Sequence, residues 1–194
     1  YTIRLARILA QLAPDGTAGS ISTSPLSYKP WLDGSATEEA FHTGSRHLAE
    51  VAAALAQIED ETGVHLHVDL EPEPDCLIEN TAESIAFFED WLWPVGGARL
   101  ANALNVGEET AQSLLRRHIQ LCYDTCHFAV EYETPAEAFA QFAAAGVPIG
   151  KVQLSAALRV PLPLAGRSAI AERLRPFAEA TYLHQVVERR PDGP

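Results

Sequence analysis

The sequence predicts an α/β fold of the TIM (β/α)8 barrel type, present as a C-terminal portion with about five strands. Three observations lead there. Segments of strand character alternate with segments of helical periodicity along the chain, and no hairpin-length turn joins two strands. Parallel neighbours need long crossovers, which helices supply. Next, Val64 to Glu71 alternates strictly, with Val64, Leu66, Val68 and Leu70 on one side and His65, His67, Asp69 and Glu71 on the other. Strands of an open doubly wound sheet are apolar on both faces because helices cover both. A stripe of two histidines and two acids instead calls for the polar interior of a closed barrel. Finally, a complete barrel takes roughly 250 residues, whereas this chain has 194. A single domain over 1–194, lacking the first strands, is the expectation.

The elements follow in order. Ile3, Leu5, Ile8, Leu9 and Leu12 share a helical face that stops at Pro14, Asp15 and Gly16. Ala18 to Ser24, small and centred on Ile21, reads as the first strand. Leu26 to Gly34 is a loop carrying Tyr28, Lys29 and Trp31, whose aromatics suit either a sugar face or simple packing. From Thr37 to Thr62, Phe41, Leu48, Val51, Ala52, Leu55 and Ile58 recur on one helical face, and Gly63 ends it. His42 and His47 belong to that helix as surface or packing residues. After the strand Val64 to Glu71, helices are expected at Ala82 to Leu92 and Glu108 to Arg117. Then come a strand at Ile119 to Asp124, a helix at Pro135 to Ala145 and a strand at Ile149 to Ser155. A helix at Arg167 to Ala180 and a strand at Thr181 to Val187 precede the polar end, Glu188 to Pro194.

Charge narrows the function. Twenty-six acidic residues against 14 Lys and Arg give a formal net charge of -12, a field that repels nucleic acid. The apolar runs are a handful of residues long, far short of the roughly 20 needed to span a bilayer, so no transmembrane segment is expected. The chain opens on Tyr1, contains no Met and shows no secretory leader pattern. Cys76, Cys122 and Cys126 are an odd number without metal-finger spacing, which reads as reduced core thiols in a cytoplasmic protein.

Catalytic groups of such barrels stand where strands run into the following loops. Glu71 ends one strand and opens the acidic loop Pro72 to Asp75, in which Glu73 and Asp75 read as solvated. Asp124 ends the next, with Cys126 and His127 just after it. Gln153 lies near the end of the third, between Lys151 and Ser155 on one face. His184 lies in the last strand. Glu71, Asp124, Gln153 and His184 together offer two carboxylates, an amide oxygen and an imidazole to a divalent cation such as Mn, Mg, Zn or Co. The two anionic ligands balance the ion's charge, and the ion makes their burial tolerable. Glu71, His127 and Lys151 are the catalytic candidates: Glu71 as ligand and base, His127 as an orienting group, Lys151 as a stabiliser of an oxyanion or phosphate. His65 and His67, lower on their strand, read as hydrogen-bonded interior residues.

Leu70-Glu71-Pro72 and Tyr123-Asp124-Thr125-Cys126-His127 resemble two motifs of the xylose isomerase-like barrels, which include sugar isomerases, sugar epimerases and the endonuclease IV group. The resemblance implies that Glu71 is the metal-binding Glu of the fifth strand and that Asp124 and His127 are the Asp and His of the sixth. On that register Gln153 stands where a ligand His is usual and His184 where a Glu is usual. The wider run, Ser22 to Trp31, Leu70 to Cys76, Tyr123 to Phe128 and Lys151 to Arg159, is similar to the EboE-type metabolite traffic branch. This implies a metal-dependent isomerase or epimerase-like protein acting on a small polyhydroxylated metabolite. The alternative, pointed to by Gln153 and His184, is a non-catalytic metabolite-binding or carrier protein on the same fold. The nuclease branch does not suit the charge.

Overall fold

The fold is taken from a computed structural model, which describes residues 1–14, 16–163, 165–178 and 185–190. Four strands form one parallel sheet: β1 (Ala18–Thr23), β2 (His65–Leu70), β3 (Ile119–Asp124) and β4 (Ile149–Gln153). Their order in the sheet is their order in the chain. Every crossover therefore moves one place in the same direction, which is the winding of a barrel; a doubly wound sheet reverses at a switch point.

Register sorts the side chains. Ser20 pairs with His67 and Ser22 with Asp69, Asp69 pairs with Gln120, and beyond a slip Cys122 pairs with Lys151 and Asp124 with Gln153. Parallel partners point to the same side, so all of these polar residues share one face. The slip falls between Leu121 and Cys122 and leaves Gly150 as the extra residue of a bulge. Here the polar face closes up: a Cβ on Gly150 would stand 2.7 Å from His67 Nδ1 on β2, two strands away, and as near to oxygens of Asp69 and Gln120. The sheet is a curled half-barrel, and the polar stripe of β2 lines its concave side. Burial of His67 and Asp69 follows from that curl.

The convex face is apolar because helices cover it. Leu66, Val68 and Leu70 of β2 and Ile119 and Leu121 of β3 are fully buried with Ala52, Leu55 and Leu115, and Leu48 is nearly so. Each fully buried Leu or Ile contributes roughly 1.5–3 kcal/mol. The helices supplying this cover are α1 (Thr2–Leu12), α2 (Gly34–Thr62) and α5 (Glu108–His118). Gly63, at φ 71°, ends α2 in the left-handed conformation that glycine adopts without Cβ strain. Tyr123 stacks on Phe128 at 4.1 Å and meets Phe139 edge-on, tying β3 to α6 (Thr125–Val130) and α7 (Pro135–Ala145).

Several elements depart from expectation. The helix expected over Ala82 to Leu92 is one helical run made of α3 (Thr81–Ala86), a π-helical stretch Phe87–Gly96 and α4 (Gly97–Leu104). Pro94 lies inside it. Proline lacks an N–H and clashes with the carbonyl one turn back, and the wider π turn accommodates both defects without ending the helix. The strand expected to reach Ser155 stops at Gln153. The helix expected over Arg167 to Ala180 is α8 (Arg167–Leu174) followed by a 3-10 turn at Arg175–Phe177. For the strand expected over Thr181 to Val187, the part containing His184 lies outside the described residues, and Gln185, Val186 and Val187 are not in a strand. Among the described residues no helix is long and apolar enough to cross a membrane.

Candidate functional site at the carboxyl edge of the sheet

Parallel strands deliver their last residues to one edge, and the candidate residues from β2, β3 and β4 arrive there together. Glu71 extends β2 by one residue, its N–H donating to the Thr23 carbonyl at 3.0 Å. Asp124 ends β3 and caps α6, its Oδ1 accepting the Cys126 N–H at 2.9 Å and the Ser155 hydroxyl. A capping carboxylate at a helix start satisfies an otherwise orphaned backbone donor. Thr125 Oγ1 holds the segment after β4, donating toward the carbonyls of Gln153 and Ser155 and accepting the Ser155 N–H at 2.9 Å. Thus Asp124 is fixed from α6 and from the segment after β4 at once.

His127 Nδ1 lies 2.8 Å from the Pro72 carbonyl and 3.9 Å from Glu71 Oε1. A carbonyl only accepts, so Nδ1 carries the hydrogen in the neutral ring and Nε2 presents the lone pair. This is how outer hydrogen bonds orient a metal-ligating imidazole. Donor atoms of Asp124, Cys126 and His127 lie within 4.8 Å of one another. Cys126, read from sequence as a core thiol, is half-exposed and joins this group. Ser155 is the other addition. The sequence placed Cys126 beside Asp124 and Ser155 on the Gln153 face, but the Ser155 bond to Asp124 spans 31 residues and had no local signal.

The electrostatics separate the two acids. Burial raises the Glu71 carboxyl above the usual carboxylate range, with Asp124 and Glu73 adding to it while His127 and the Gln153 amide oppose it. Burial also acts upward on Asp124, but its hydrogen bonds from Ser155 and Cys126 outweigh it and hold the group below its ordinary value. Two carboxyls pushed in opposite directions are what a site needs when one is to hold charge and the other to exchange a proton.

Gln153 Nε2 donates to Cys122 Sγ at 3.3 Å, and Lys151 Nζ donates to Ser22 Oγ at 2.9 Å. Both side chains lie on the concave face, Lys151 one pleat below Gln153. Tyr28 and Trp31 sit edge to face at 5.5 Å, and Tyr28 bridges to Cys76 in the loop after Glu71. Glu71 stands outside the close group of Asp124, Cys126 and His127, its Oε1 3.9 Å from His127 Nδ1; by donor chemistry, the carboxylates of Glu71 and Asp124 and the Gln153 carbonyl oxygen suit a hard or borderline divalent cation.

No family model matches the chain, and no curated protein does. Among solved structures, the chain is similar to the apo form of 3-keto-D-glucoside 4-epimerase YcjR from E. coli. The identity is 16%, the TM-score is 0.44, and the match covers 90% of this chain and 69% of that one.

Proposed function

We propose that this chain is part of a xylose isomerase-like barrel, of the EboE-type metabolite traffic branch. On this reading it is a metal-dependent isomerase or epimerase-like enzyme acting on a small polyhydroxylated metabolite in the cytoplasm. The observation that carries the reading is the meeting of Glu71, Asp124, His127 and Gln153 at the carboxyl edge of a half-barrel. The proposed metal ligands are Glu71, Asp124, Gln153 and His184, the last outside the described residues. When bound, a divalent cation supplies polarisation of adjacent hydroxyl and carbonyl oxygens of a polyol. Asp124, held ionised by Ser155 and Cys126, keeps its charge through the reaction. Glu71, with its raised carboxyl, exchanges the proton at the carbon beside the carbonyl. His127, oriented by the Pro72 carbonyl, positions a substrate oxygen. Lys151 uses one N–H on Ser22 and has two further donors for an oxyanion or a phosphate.

Proton exchange is the test. The chain is incubated in deuterated water with Mn2+ and a panel of ketoses, aldoses and their phosphates, and deuterium entry at the carbon next to the carbonyl is followed by NMR. Exchange that Glu71→Gln abolishes supports the reading; exchange unchanged in Glu71→Gln removes it. A second reading, a binding or carrier protein, is favoured by Gln153, whose amide is not a proton carrier and is bonded to Cys122. Tight capture of a panel compound without exchange selects that reading.

A further inference from the structure

A second group of metal-type donors lies at the other end of the half-barrel. Glu59 sits in the last turn of α2, His65 opens β2, and His118 closes α5 just before β3. Glu59 Oε2 is 3.3 Å from His65 Nδ1 and 3.6 Å from His118 Nε2. One donor atom of each lies within 4.8 Å of the other two. A tetrahedral ion with bonds of about 2.0–2.1 Å sets neighbouring donors roughly 3.3 Å apart, so two of the three separations already approach that value.

His118 is the residue that points to a ligand. Its side chain is fully buried. Nδ1 lies 2.8 Å from the Leu66 carbonyl, which can only accept, so the ring hydrogen belongs there and Nε2 holds a bare lone pair. That Nε2 is buried and has no hydrogen-bond partner among the described residues. An orphaned buried ring nitrogen is costly, by about 1–3 kcal/mol, unless something occupies it. The neutral imidazole with a free Nε2 lone pair is the ligating form. The far nitrogen bonded to a backbone carbonyl is also the usual orienting device for a metal-bound histidine.

Glu59 is prepared to meet a cation. Arg117 Nε donates to Oε2 at 2.9 Å and a terminal nitrogen donates to Oε1. Two such bonds are the forked pair that a guanidinium makes with an ionised carboxylate. The guanidinium is largely exposed and its charge is screened by water, leaving it a positioning partner that fixes the carboxylate plane.

We propose that Glu59, His65 and His118 form a zinc site at the amino-terminal end of the sheet, with water in the fourth position. Two imidazoles and one carboxylate match the preference of Zn2+ and are a poor set for Mg2+ or Ca2+. The three ligands come from α2, β2 and the α5–β3 junction, so the ion ties the long helix to the two central strands. Its place at the end of the sheet opposite the candidate active site separates it from the proposed reaction.

The site is independent of the proposed reaction, and the test keeps them apart. The chain carrying Asp124→Asn and His127→Gln, which disables the donors at the carboxyl edge, is stripped of metal and titrated with Zn2+ alone by calorimetry. Co2+ serves as the coloured substitute. The expected result is one equivalent bound, a tetrahedral Co2+ absorption that Zn2+ displaces, and a higher thermal midpoint with Zn2+. Adding Glu59→Gln or His65→Gln, both at half-buried positions, should weaken Zn2+ binding by more than about 100-fold while far-ultraviolet circular dichroism stays native. Unaltered affinity in either variant overturns the proposal. A second readout needs no variant at these ligands: long-range nitrogen NMR should show the His118 Nε2 resonance move on Zn2+ addition. A resonance that stays in place at saturating Zn2+ overturns it equally.

Discussion

Lys151 on β4 donates from Nζ to Ser22 Oγ on β1 at 2.9 Å, although β2 and β3 lie between their strands in the sheet. In a flat sheet three strand spacings of about 4.8 Å would separate the two backbones by roughly 14 Å, more than one lysine side chain spans. The bond therefore exists only because the sheet curls, and it closes the polar face like a chord across an arc. The same curl brings Gly150 against His67.

Removing the chord should cost a measurable but modest amount. Lys151→Met keeps the apolar stem and deletes the donor, and urea denaturation should show a loss of about 1 kcal/mol. Ser22→Ala should cost a similar amount, and the double variant should be no worse than the poorer single one. Fully additive losses would show that the pair is not coupled.

Gly150→Ala should be harsher. The new methyl would enter space held by Asp69, Gln120 and His67, with two of those side chains themselves anchored on β2. A destabilisation of about 2 kcal/mol or more is expected from such overpacking, read as a shift in the urea midpoint at constant slope. A variant as stable as the parent would mean that the bulge does not pack as described.

Glu131 should destabilise the fold above neutral pH. Burial pushes its carboxyl from 4.5 up to about 7, with Glu79, Glu133 and Glu83 adding and Lys29 opposing, and its Oε1 is buried without a partner among the described residues. Below pH 4.5 both folded and unfolded chains carry the proton and the group has no net effect. As pH rises from there to about 7 the unfolded chain ionises first, so stability falls, and the penalty is full above about 7. Glu131→Gln should therefore gain about 1 kcal/mol near pH 8, after allowance for solvent screening, and nothing near pH 4. Equal gains at both pH values would show that its charge is not the cause.

The sequence disclosed what depends on local pattern. The alternation over Val64 to Glu71 places β2 within a residue at each end and separates its apolar and polar faces, because one face packs on helices and the other lines the concave side. The strand ends expected at Glu71 and Asp124 fall within one residue of the ends of β2 and β3. What stayed hidden depends on distance across the fold. Pro94, Gly96 and Gly97 look like helix breakers and conceal the continuous run from Thr81 to Leu104. The six residues of α6 are too few to show a period, and its Asp124 cap becomes visible only with Ser155 alongside. His118 carries no signal at all until α5 delivers it beside Glu59 and His65.

Ser155→Ala should raise the Asp124 carboxyl, since the serine hydroxyl is the strongest of the bonds holding it down. Carbon-detected NMR titration of the side chain should show the upward move, with Glu71 unmoved or shifted slightly down, because a less ionised Asp124 repels the Glu71 charge less. An Asp124 titration unchanged by the substitution would remove Ser155 from the site.

Manganese binding at the carboxyl edge tests the central claim most directly. Titrating the metal-free chain with Mn2+ and counting free ion by electron spin resonance should give one bound equivalent, retained in His65→Gln and lost in Glu71→Gln and in Asp124→Asn. Mn2+ binding of the same stoichiometry and affinity in all four proteins, or in none, would contradict it.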